Sequence, residues 1–399
     1  MMEADHEDGS YDRNKELKLF DETKAGVKGL VDAGLTKLPK IFVHDNHKVN
    51  DSSSSSSSSA TNVSIPVIDL GSLHEEGNSR HEIVQKVKDA GEKWGFFQVV
   101  NHKIPQSILD EMLDGVRKFH EQDAEVKKEF YSRDITKRVF YNTNFNFYTT
   151  SEVNWRDTLY CLLAPGPLDP HQLPSICRDV IIEYLDHIKK LALTLLELLS
   201  EALGLEGNYL KDIDCGEGIF MVGNYYPPCP EPELTWGLSA HTDMGFVTIL
   251  LQDQVGGLQV FHENQWFDIT PFPGAFIINL GDMMQLITND KFMSAKHRVV
   301  AQKVGPRVSV SCSLRQHVQD ECLRMYGPIK ELVTKENPPI YKEMKMPDLV
   351  KLSEKFNIYN FKNSHVLYLN KSKYLPLNFF RLTIIIIGFC SRLPIRKII

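Results

Sequence analysis

Several features that mark particular protein classes are missing from this chain of 399 residues. Its seven cysteines include no pair separated by two residues, so no disulfide framework is indicated and free thiols in a reducing compartment are expected. The formal net charge of -7 argues against a nucleic-acid partner. The His-Glu-x-x-His motif of zinc hydrolases does not occur.

The chain also lacks an apolar run long enough to cross a bilayer. Its most apolar stretch, from Leu382 to Cys390, falls well short of the ~20 residues that a spanning helix needs, and Arg381 and Arg392 flank it. The N-terminal residues are acidic and polar, without the apolar segment of a secretory signal. We therefore expect a cytoplasmic protein without membrane contact.

The patterns that are present predict a mainly β fold with flanking α-helices. From Gly218 to Leu314, short strands alternate with turn residues, which favours a double-stranded β-helix, or jelly roll. An N-terminal α/β region precedes it, with strands at Ile65–Leu70 and Phe96–Val100 and a helix that begins at Ser79. A long packing helix is expected over 180–203 because its leucines recur at helical spacing.

The ends of the chain have a different character. One weakly amphipathic helix is expected before Gly34, with Phe20, Val27 and Leu30 on its apolar face. The uninterrupted serines from Ser52 to Ser59 predict a flexible linker, with a phosphorylation tract as the alternative. We expect six segments: an arm with a serine-rich linker (1–64), the N-terminal α/β region (65–175), the packing helix (176–215), the jelly roll (216–318), a C-terminal helical segment (319–356) and an atypical tail (357–399).

Two histidines and one aspartate stand at positions typical of a metal site. His241 and Asp243 precede the buried strand Phe246–Leu251, and His297 opens another β-prone stretch. A lone histidine is most often a core residue, and a lone aspartate is most often a turn residue. Two imidazoles and one carboxylate together form the facial triad that suits Fe(II) and leaves three coordination positions open.

Arg307 and Ser309 follow at the start of a third predicted strand. Their two-residue spacing on extended backbone places both side chains on one face. A guanidinium group offers a planar fork of donors that matches a carboxylate, so this pair is suited to hold an acid beside the metal. The alternative for Arg307 alone is a surface ion pair.

Four stretches of the sequence resemble the plant Fe(II)/2-oxoglutarate-dependent dioxygenases. These are Asn224 to Pro230, Gly95 to His102, Leu19 to Asp32 and Asn154 to Leu159. The last two are similar to the branch called 1-aminocyclopropane-1-carboxylate oxidase homologues. The resemblance covers roughly residues 10 to 355.

The resemblance implies an oxidoreductase with Fe(II) as its metal, and 2-oxoglutarate and O2 as cosubstrates. It implies that Fe(II) is bound by three catalytic residues, His241, Asp243 and His297. It implies that 2-oxoglutarate is held by three further residues, Arg307, Ser309 and Tyr226. The expected reaction hydroxylates a small organic metabolite of plant specialised metabolism and releases succinate and CO2. Ascorbate is the expected reductant, and the enzyme is expected to be a monomer.

Three other functions remain open at this stage. A true 1-aminocyclopropane-1-carboxylate oxidase would use ascorbate in place of 2-oxoglutarate, and a zinc hydrolase would leave Arg307 and Ser309 without a role. A catalytically silent relative would only bind a small molecule. Two departures favour this last alternative: Lys103 replaces the glycine of the family motif, and the tail from 357 looks like a gene-model artefact.

The sequence does not identify the substrate. Four residues in or beside the family motifs are candidate pocket walls and equally candidate core residues: Phe145, Phe147, Trp155 and Val222.

Overall fold

A computed structural model of the chain describes residues 11–44, 64–75, 77–134, 136–163, 166, 168–316 and 324–356. The serine run at Ser52–Ser59 and the tail 357–399 lie outside the described residues. The expectations about the linker and the tail therefore stay predictions.

Two β-sheets form the centre of the fold. The strands are β1 (Val67–Asp69), β2 (Phe96–Val100), β3 (Val139–Asn142), β4 (Asp157–Leu162), β5 (Gly218–Tyr226), β6 (Trp236–His241), β7 (Val247–Gln252), β8 (Leu258–His262), β9 (Gln265–Asp268), β10 (Phe276–Leu280), β11 (His297–Val300) and β12 (Arg307–Arg315). The large sheet has the order β1-β2-β10-β7-β12-β5-β4-β3, and the small sheet has the order β6-β11-β8-β9. This arrangement confirms the predicted jelly roll.

Helices flank this β core. They are α1 (Arg13–Thr23), α2 (Gly26–Asp32), α3 (Ser79–Lys93), α4 (Gln106–Glu121), α5 (Ala124–Lys128), α6 (Arg178–Ala202), α7 (Tyr209–Asp212), α8 (Asp282–Ile287) and α9 (Met346–Phe356). The packing helix α6 matches its predicted bounds closely, and its apolar face is buried against α3, α4 and the large sheet. Within the described residues, no helix is both long and apolar enough to cross a membrane.

Alternation along β12 separates the helix-packed core from the interior of the jelly roll. Val308, Val310, Cys312 and Leu314 belong to the core cluster shared with the helices. Successive side chains of a strand point to opposite faces, so Arg307 and the residues in step with it face the other sheet. The interior face of the large sheet therefore carries the polar side chains.

The prediction of a single N-terminal helix is wrong, because the structure has two helices with a break between them. Lys24 has φ 53° and Gly26 has φ 70°, a conformation that ends a right-handed helix. The backbone N–H groups of Val27 and Lys28 donate to the buried Asp157 carboxylate, each at 2.8 Å. A Cβ on residue 26 would collide with Asp157, so only glycine allows this close approach.

The N-terminal helices are part of the packed structure. Phe20 stacks on Phe147 with a centroid distance of 5.5 Å, and Phe42 meets Trp155 edge to face at 5.1 Å. Phe147 and Trp155 are both 1% exposed within this cluster. The sequence left two roles open for Phe147 and Trp155, pocket wall or core residue, and their burial supports core packing.

The structure also bears on Lys103 and on the C-terminal segment. Lys103 has φ 64°, so the glycine of the family motif would relieve backbone strain there. Within the described part of the C-terminal segment, 324–356, the α-helix covers Met346–Phe356 and Lys330–Leu332 forms one 3-10 turn. Tyr326 and Met344 form an isolated antiparallel bridge.

Candidate active site

The pairing of β6 with β11 brings the two histidines together. His241 and His297 are register partners, and their ring centroids lie 4.2 Å apart. Asp243 lies just beyond the end of β6, in the turn before β7. Its Oδ1 is 3.6 Å from Nε2 of His241 and 3.7 Å from Nε2 of His297.

Hydrogen bonds on the far side of each ring orient the two histidines. Nδ1 of His241 lies 2.9 Å from the carbonyl oxygen of Ser239, and Nδ1 of His297 lies 3.0 Å from that of Ala295. Donation from each Nδ1–H leaves Nε2 as an unprotonated ligand atom. Burial lowers the pKa of His297 to about 4, so its ring is neutral at pH 7.

The three ligand atoms fit a single metal ion. Two atoms that each lie ~2.1 Å from one ion can be at most about 4.2 Å apart, and the contacts of Asp243 with both histidines meet this limit. Within the described residues, these three form the one cluster of His, Cys, Asp or Glu suited to a metal. Two imidazole nitrogens and one carboxylate oxygen are the donor set of the Fe(II) facial triad.

Two neighbouring side chains hold the other oxygen of Asp243. Thr248 Oγ1 donates to Oδ2 at 2.6 Å, and Asn279 Nδ2 donates to the same atom at 2.8 Å. Burial would raise the pKa of Asp243, but His297, His241 and the Thr248 hydroxyl outweigh it and hold the pKa below its usual value. The carboxylate is therefore ionised and held in one orientation.

A second buried carboxyl group, Asp282, lies behind the turn. Thr242 Oγ1 donates to its Oδ2 at 3.0 Å, and its backbone N–H donates to the carbonyl oxygen of Asp243 at 2.7 Å. Its Oδ1 is buried without a hydrogen-bond partner among the described residues. Burial raises the pKa of Asp282 to about 7, with the charge of Asp243 adding to the effect.

Arg307 is 3% exposed on the interior face of the large sheet. Its Nε donates to the carbonyl oxygen of Gly256 at 2.6 Å, its Nη2 donates to Gln252 Oε1 at 2.8 Å, and its Nη1 donates to Ser309 Oγ at 3.1 Å. No carboxylate ion-pairs with Arg307 in the part of the chain that the structure describes. A buried guanidinium held by neutral groups is chemically suited to bind an anion.

Tyr226 lies beside this arginine on the neighbouring strand. Arg307 and Tyr226 are register partners in the β12–β5 pair, and the guanidinium carbon is 4.9 Å from the centre of the Tyr226 ring. This is a cation–π contact.

Strand β7 connects the two parts of the site. Thr248 contacts Asp243 and Gln252 contacts Arg307, so one strand holds both. The four-residue separation corresponds to ~13 Å along the strand, with both side chains on one face. The six site residues expected from the sequence come from both sheets of the jelly roll. His241 and His297 lie on the small sheet, Asp243 lies in the loop between β6 and β7, and the large sheet carries Arg307, Ser309 and Tyr226.

The residues that orient the ligands are absent from the sequence-based expectation. Thr248, Asn279, Asp282, Gln252 and Gly256 all contact a predicted site residue. A weak signal exists for Asn279, since it is a polar residue within the otherwise apolar run Phe276–Leu280. Nothing local in the sequence distinguishes the others.

Comparison with known families identifies the fold and its chemistry. Residues 219–316 match the model of the 2OG-Fe(II) oxygenase superfamily, and residues 65–177 match that of the non-haem dioxygenase N-terminal region. Deacetoxyvindoline 4-hydroxylase of Catharanthus roseus is 52% identical over 340 residues, which cover 84% of this chain and 84% of that protein. The chain belongs to the 2OG-Fe(II) oxygenase superfamily.

Further similarities support this assignment. A second relative, 1-aminocyclopropane-1-carboxylate oxidase homolog 1 of Arabidopsis thaliana, is 51% identical over 86% of this chain and 93% of its own length. Among solved structures, JOX2 in complex with 2OG, Fe and JA superposes with a TM-score of 0.69 at 30% identity, covering 82% of this chain and 92% of that one. The rice dioxygenase for auxin oxidation has a TM-score of 0.65 at 26% identity, covering 76% and 99%.

The expected family and reaction class are thereby confirmed. This 2OG-Fe(II) oxygenase is an enzyme that uses Fe(II) and 2-oxoglutarate. Neither the zinc hydrolase nor the silent binding protein is favoured by these similarities.

Proposed function

We propose that the enzyme hydroxylates a small organic metabolite at a site built from His241, Asp243 and His297. The observation that carries this proposal is the convergence of these three ligand atoms beside β7, the strand that also contacts Arg307. Fe(II) supplies the oxidising chemistry when it is bound together with 2-oxoglutarate and O2, and succinate and CO2 are released. The named hydroxylase among the relatives supports hydroxylation as the outcome.

The protein residues contribute binding, orientation and exclusion of water. Arg307 and Ser309 hold the distal carboxylate of 2-oxoglutarate, and the Tyr226 ring covers the guanidinium. The ~13 Å between Thr248 and Gln252 along β7 leaves room for a five-carbon diacid between the metal ligands and Arg307. Thr248 and Asn279 keep the Asp243 carboxylate aimed at the metal position.

The setting of the enzyme is part of the same proposal. We propose that it acts as a cytoplasmic monomer in plant specialised metabolism, with ascorbate as reductant. The similarity to proteins of Catharanthus roseus and Arabidopsis thaliana supports the assignment to plant metabolism. The six segments with boundaries at 64, 175, 215, 318 and 356 are proposed as its organisation.

The test is 2-oxoglutarate turnover. Protein loaded anaerobically with Fe(II) would be given oxygen in the presence of a plant metabolite extract, and succinate would be measured. His241→Ala and Arg307→Ala should abolish or strongly reduce succinate formation, whereas His171→Ala, at an exposed histidine, should not. A version that ends after Phe356 would show whether the tail, 357–399, affects succinate formation.

The outcomes separate the alternatives. Succinate that depends on both residues supports the proposal. Turnover of 1-aminocyclopropane-1-carboxylate with ascorbate and without 2-oxoglutarate would replace it with the oxidase reaction. Bound iron without succinate, in both the full chain and the truncated version, would favour a binding protein.

A further inference from the structure

A row of aromatic rings on the interior face of the large sheet ends at an arginine. The rings of Phe140 and Tyr160 stack with centroids 4.6 Å apart, and those of Tyr160 and Phe220 stack at 5.9 Å. The guanidinium carbon of Arg315 lies 4.0 Å from the centre of the Phe220 ring. We call these four residues the aromatic shelf. Among the described residues, no hydrogen bond or ring contact joins them to Arg307, Ser309 or Tyr226.

The strand register places the shelf beside the metal cluster. Ser313 pairs with Thr248 on one side and with Phe220 on the other, and Thr248 donates to Asp243. Arg315 lies two residues beyond Ser313 on the same face, a separation of ~7 Å along the strand. The arginine is thus at the metal end of β12, opposite to Arg307 at its other end.

Arg315 has a positive charge without a protein counter-charge. No aspartate or glutamate ion-pairs with it in the described part of the chain, whereas the half-buried Arg133 pairs with Asp21 at 2.8 Å. Its Nε is buried and has no hydrogen-bond partner among the residues that the structure describes. Burial lowers the pKa of Arg315 to about 10, so the group is still charged at pH 7. Desolvating an unpaired cation is unfavourable, and a bound anion would offset that cost.

The shelf carries a second polar group without a partner. Tyr160 is 3% exposed, and its hydroxyl forms no hydrogen bond with any described residue. Phe140 and Tyr160 are 2% and 3% exposed and support the ring of Phe220 from below, whereas Phe220 and Arg315 are only partly buried. The accessible part of the shelf therefore combines one apolar ring with one guanidinium group. Such a surface fits a ligand with a flat or cyclic apolar body and an anionic end.

We propose that Arg315 binds the anionic group of the substrate that is oxidised, and that Phe220, held in place by Tyr160 and Phe140, packs against its apolar body. The substrate class is a small organic acid, a carboxylate or a sulfate ester, with an aromatic or alicyclic skeleton. This inference rests on the proposed function, because the shelf adjoins the cluster assigned to Fe(II).

The experiment compares acids with their uncharged counterparts. Phenylacetate, cyclohexylacetate and phenyl sulfate, and the methyl esters of the two carboxylates, would be titrated calorimetrically into the full-length protein with Fe(II) and 2-oxoglutarate under anaerobic conditions. The variants are Arg315→Gln, Arg315→Lys and, as a matched control, Arg117→Gln on the exposed surface of α4. The affinity for 2-oxoglutarate would be measured on each protein as well.

We expect the unaltered protein to bind at least one acid tenfold or more tightly than its neutral counterpart. Arg315→Gln should weaken acid binding by about tenfold to hundredfold, the usual range for a hydrogen-bonded charged partner, and leave ester binding unchanged. Arg315→Lys should retain most of the preference for the acid, and Arg117→Gln should retain all of it.

Equal binding of acids and esters by the unaltered protein, or failure to bind any acid, would overturn the inference, and neither depends on a variant that folds. An acid preference that survives in a folded Arg315→Gln protein would overturn it too. If 2-oxoglutarate fails to bind while acid binding still depends on Arg315, the proposed function fails and the anion site stands.

Discussion

Thr248 Oγ1 donates a 2.6 Å hydrogen bond to the Asp243 oxygen that faces away from the two histidines. Asn279 reaches the same oxygen from the adjacent strand β10. Asp243 lies in a turn, outside any strand. The hydrogen bonds to its Oδ2 therefore determine where its other oxygen, Oδ1, points. Orientation of the metal ligand thus depends on a neighbour five residues along the chain and on Asn279, 36 residues away, which the pairing of β10 with β7 brings close.

Thr248→Val tests this role because it removes the hydroxyl and keeps the shape of the side chain. We expect Fe(II) affinity to fall about 10–100-fold, as is usual when a hydrogen-bond partner of a metal ligand is lost. The measurement is anaerobic Fe(II) titration. Thr194→Val is the control, since Thr194 donates only to a carbonyl within α6. Unchanged metal affinity in Thr248→Val would assign the hydroxyl to packing alone.

Arg307→Ala should separate cosubstrate binding from metal binding. Loss of one partner of a buried charged pair costs about 2–5 kcal/mol, so 2-oxoglutarate should bind at least ~30-fold more weakly. Fe(II) affinity should change little, because Arg307 contacts Gln252, Ser309 and the Gly256 carbonyl and none of the three metal ligands. Titration of each ligand separately provides the comparison, with Arg117→Ala as the surface control. An equal loss of both affinities would mean that the variant disrupts the sheet.

The stability of the metal-free protein should depend on pH through Asp282. Its folded pKa of about 7 lies above the value near 4 of an unfolded aspartate, so the folded state binds the proton more tightly. This contribution to stability is complete below about pH 4 and is lost as the pH rises through 7, with a slope of up to ~1.4 kcal/mol per pH unit.

Asp282→Asn should remove this part of the pH dependence. Chemical denaturation at several values between pH 5 and pH 8, with metal chelated, would measure the slope. Asp186→Asn, at an exposed aspartate on α6, should keep the slope of the unaltered protein. Identical slopes in Asp282→Asn and the unaltered protein would contradict a neutral buried carboxyl group at this position.

Lys103→Gly should stabilise the fold. Lys103 has φ 64°, which costs a side chain with a Cβ about 1 kcal/mol and costs glycine little. Greater freedom of glycine in the unfolded chain opposes the gain, so we expect the free energy of unfolding to rise by up to ~1 kcal/mol. Lys86→Gly within α3 should instead lower it by ~1 kcal/mol. Equal destabilisation by both substitutions would show that Lys103 is not strained.

Local pattern was enough to predict the strands that carry the site. β7, β11 and β12 begin within one residue of the predicted positions, because their apolar residues and flanking turn residues are local signals. The N-terminal helix shows where such signals fail. Its break at Lys24 and Gly26 depends on Asp157, a residue far along the chain that accepts bonds from two backbone N–H groups of α2.

The sequence by itself determined the ligand set and its chemistry: His241, Asp243 and His297 for a metal, and Arg307 with Ser309 for a carboxylate. Residue type decides what an atom can bind, and the order of strands decides that these residues can meet. The tertiary structure alone decided which side chains orient them and what else faces the cavity. Thr248, Asn279, Gln252 and the aromatic shelf reach the site through strand register, and register depends on pairing between segments that no local pattern records.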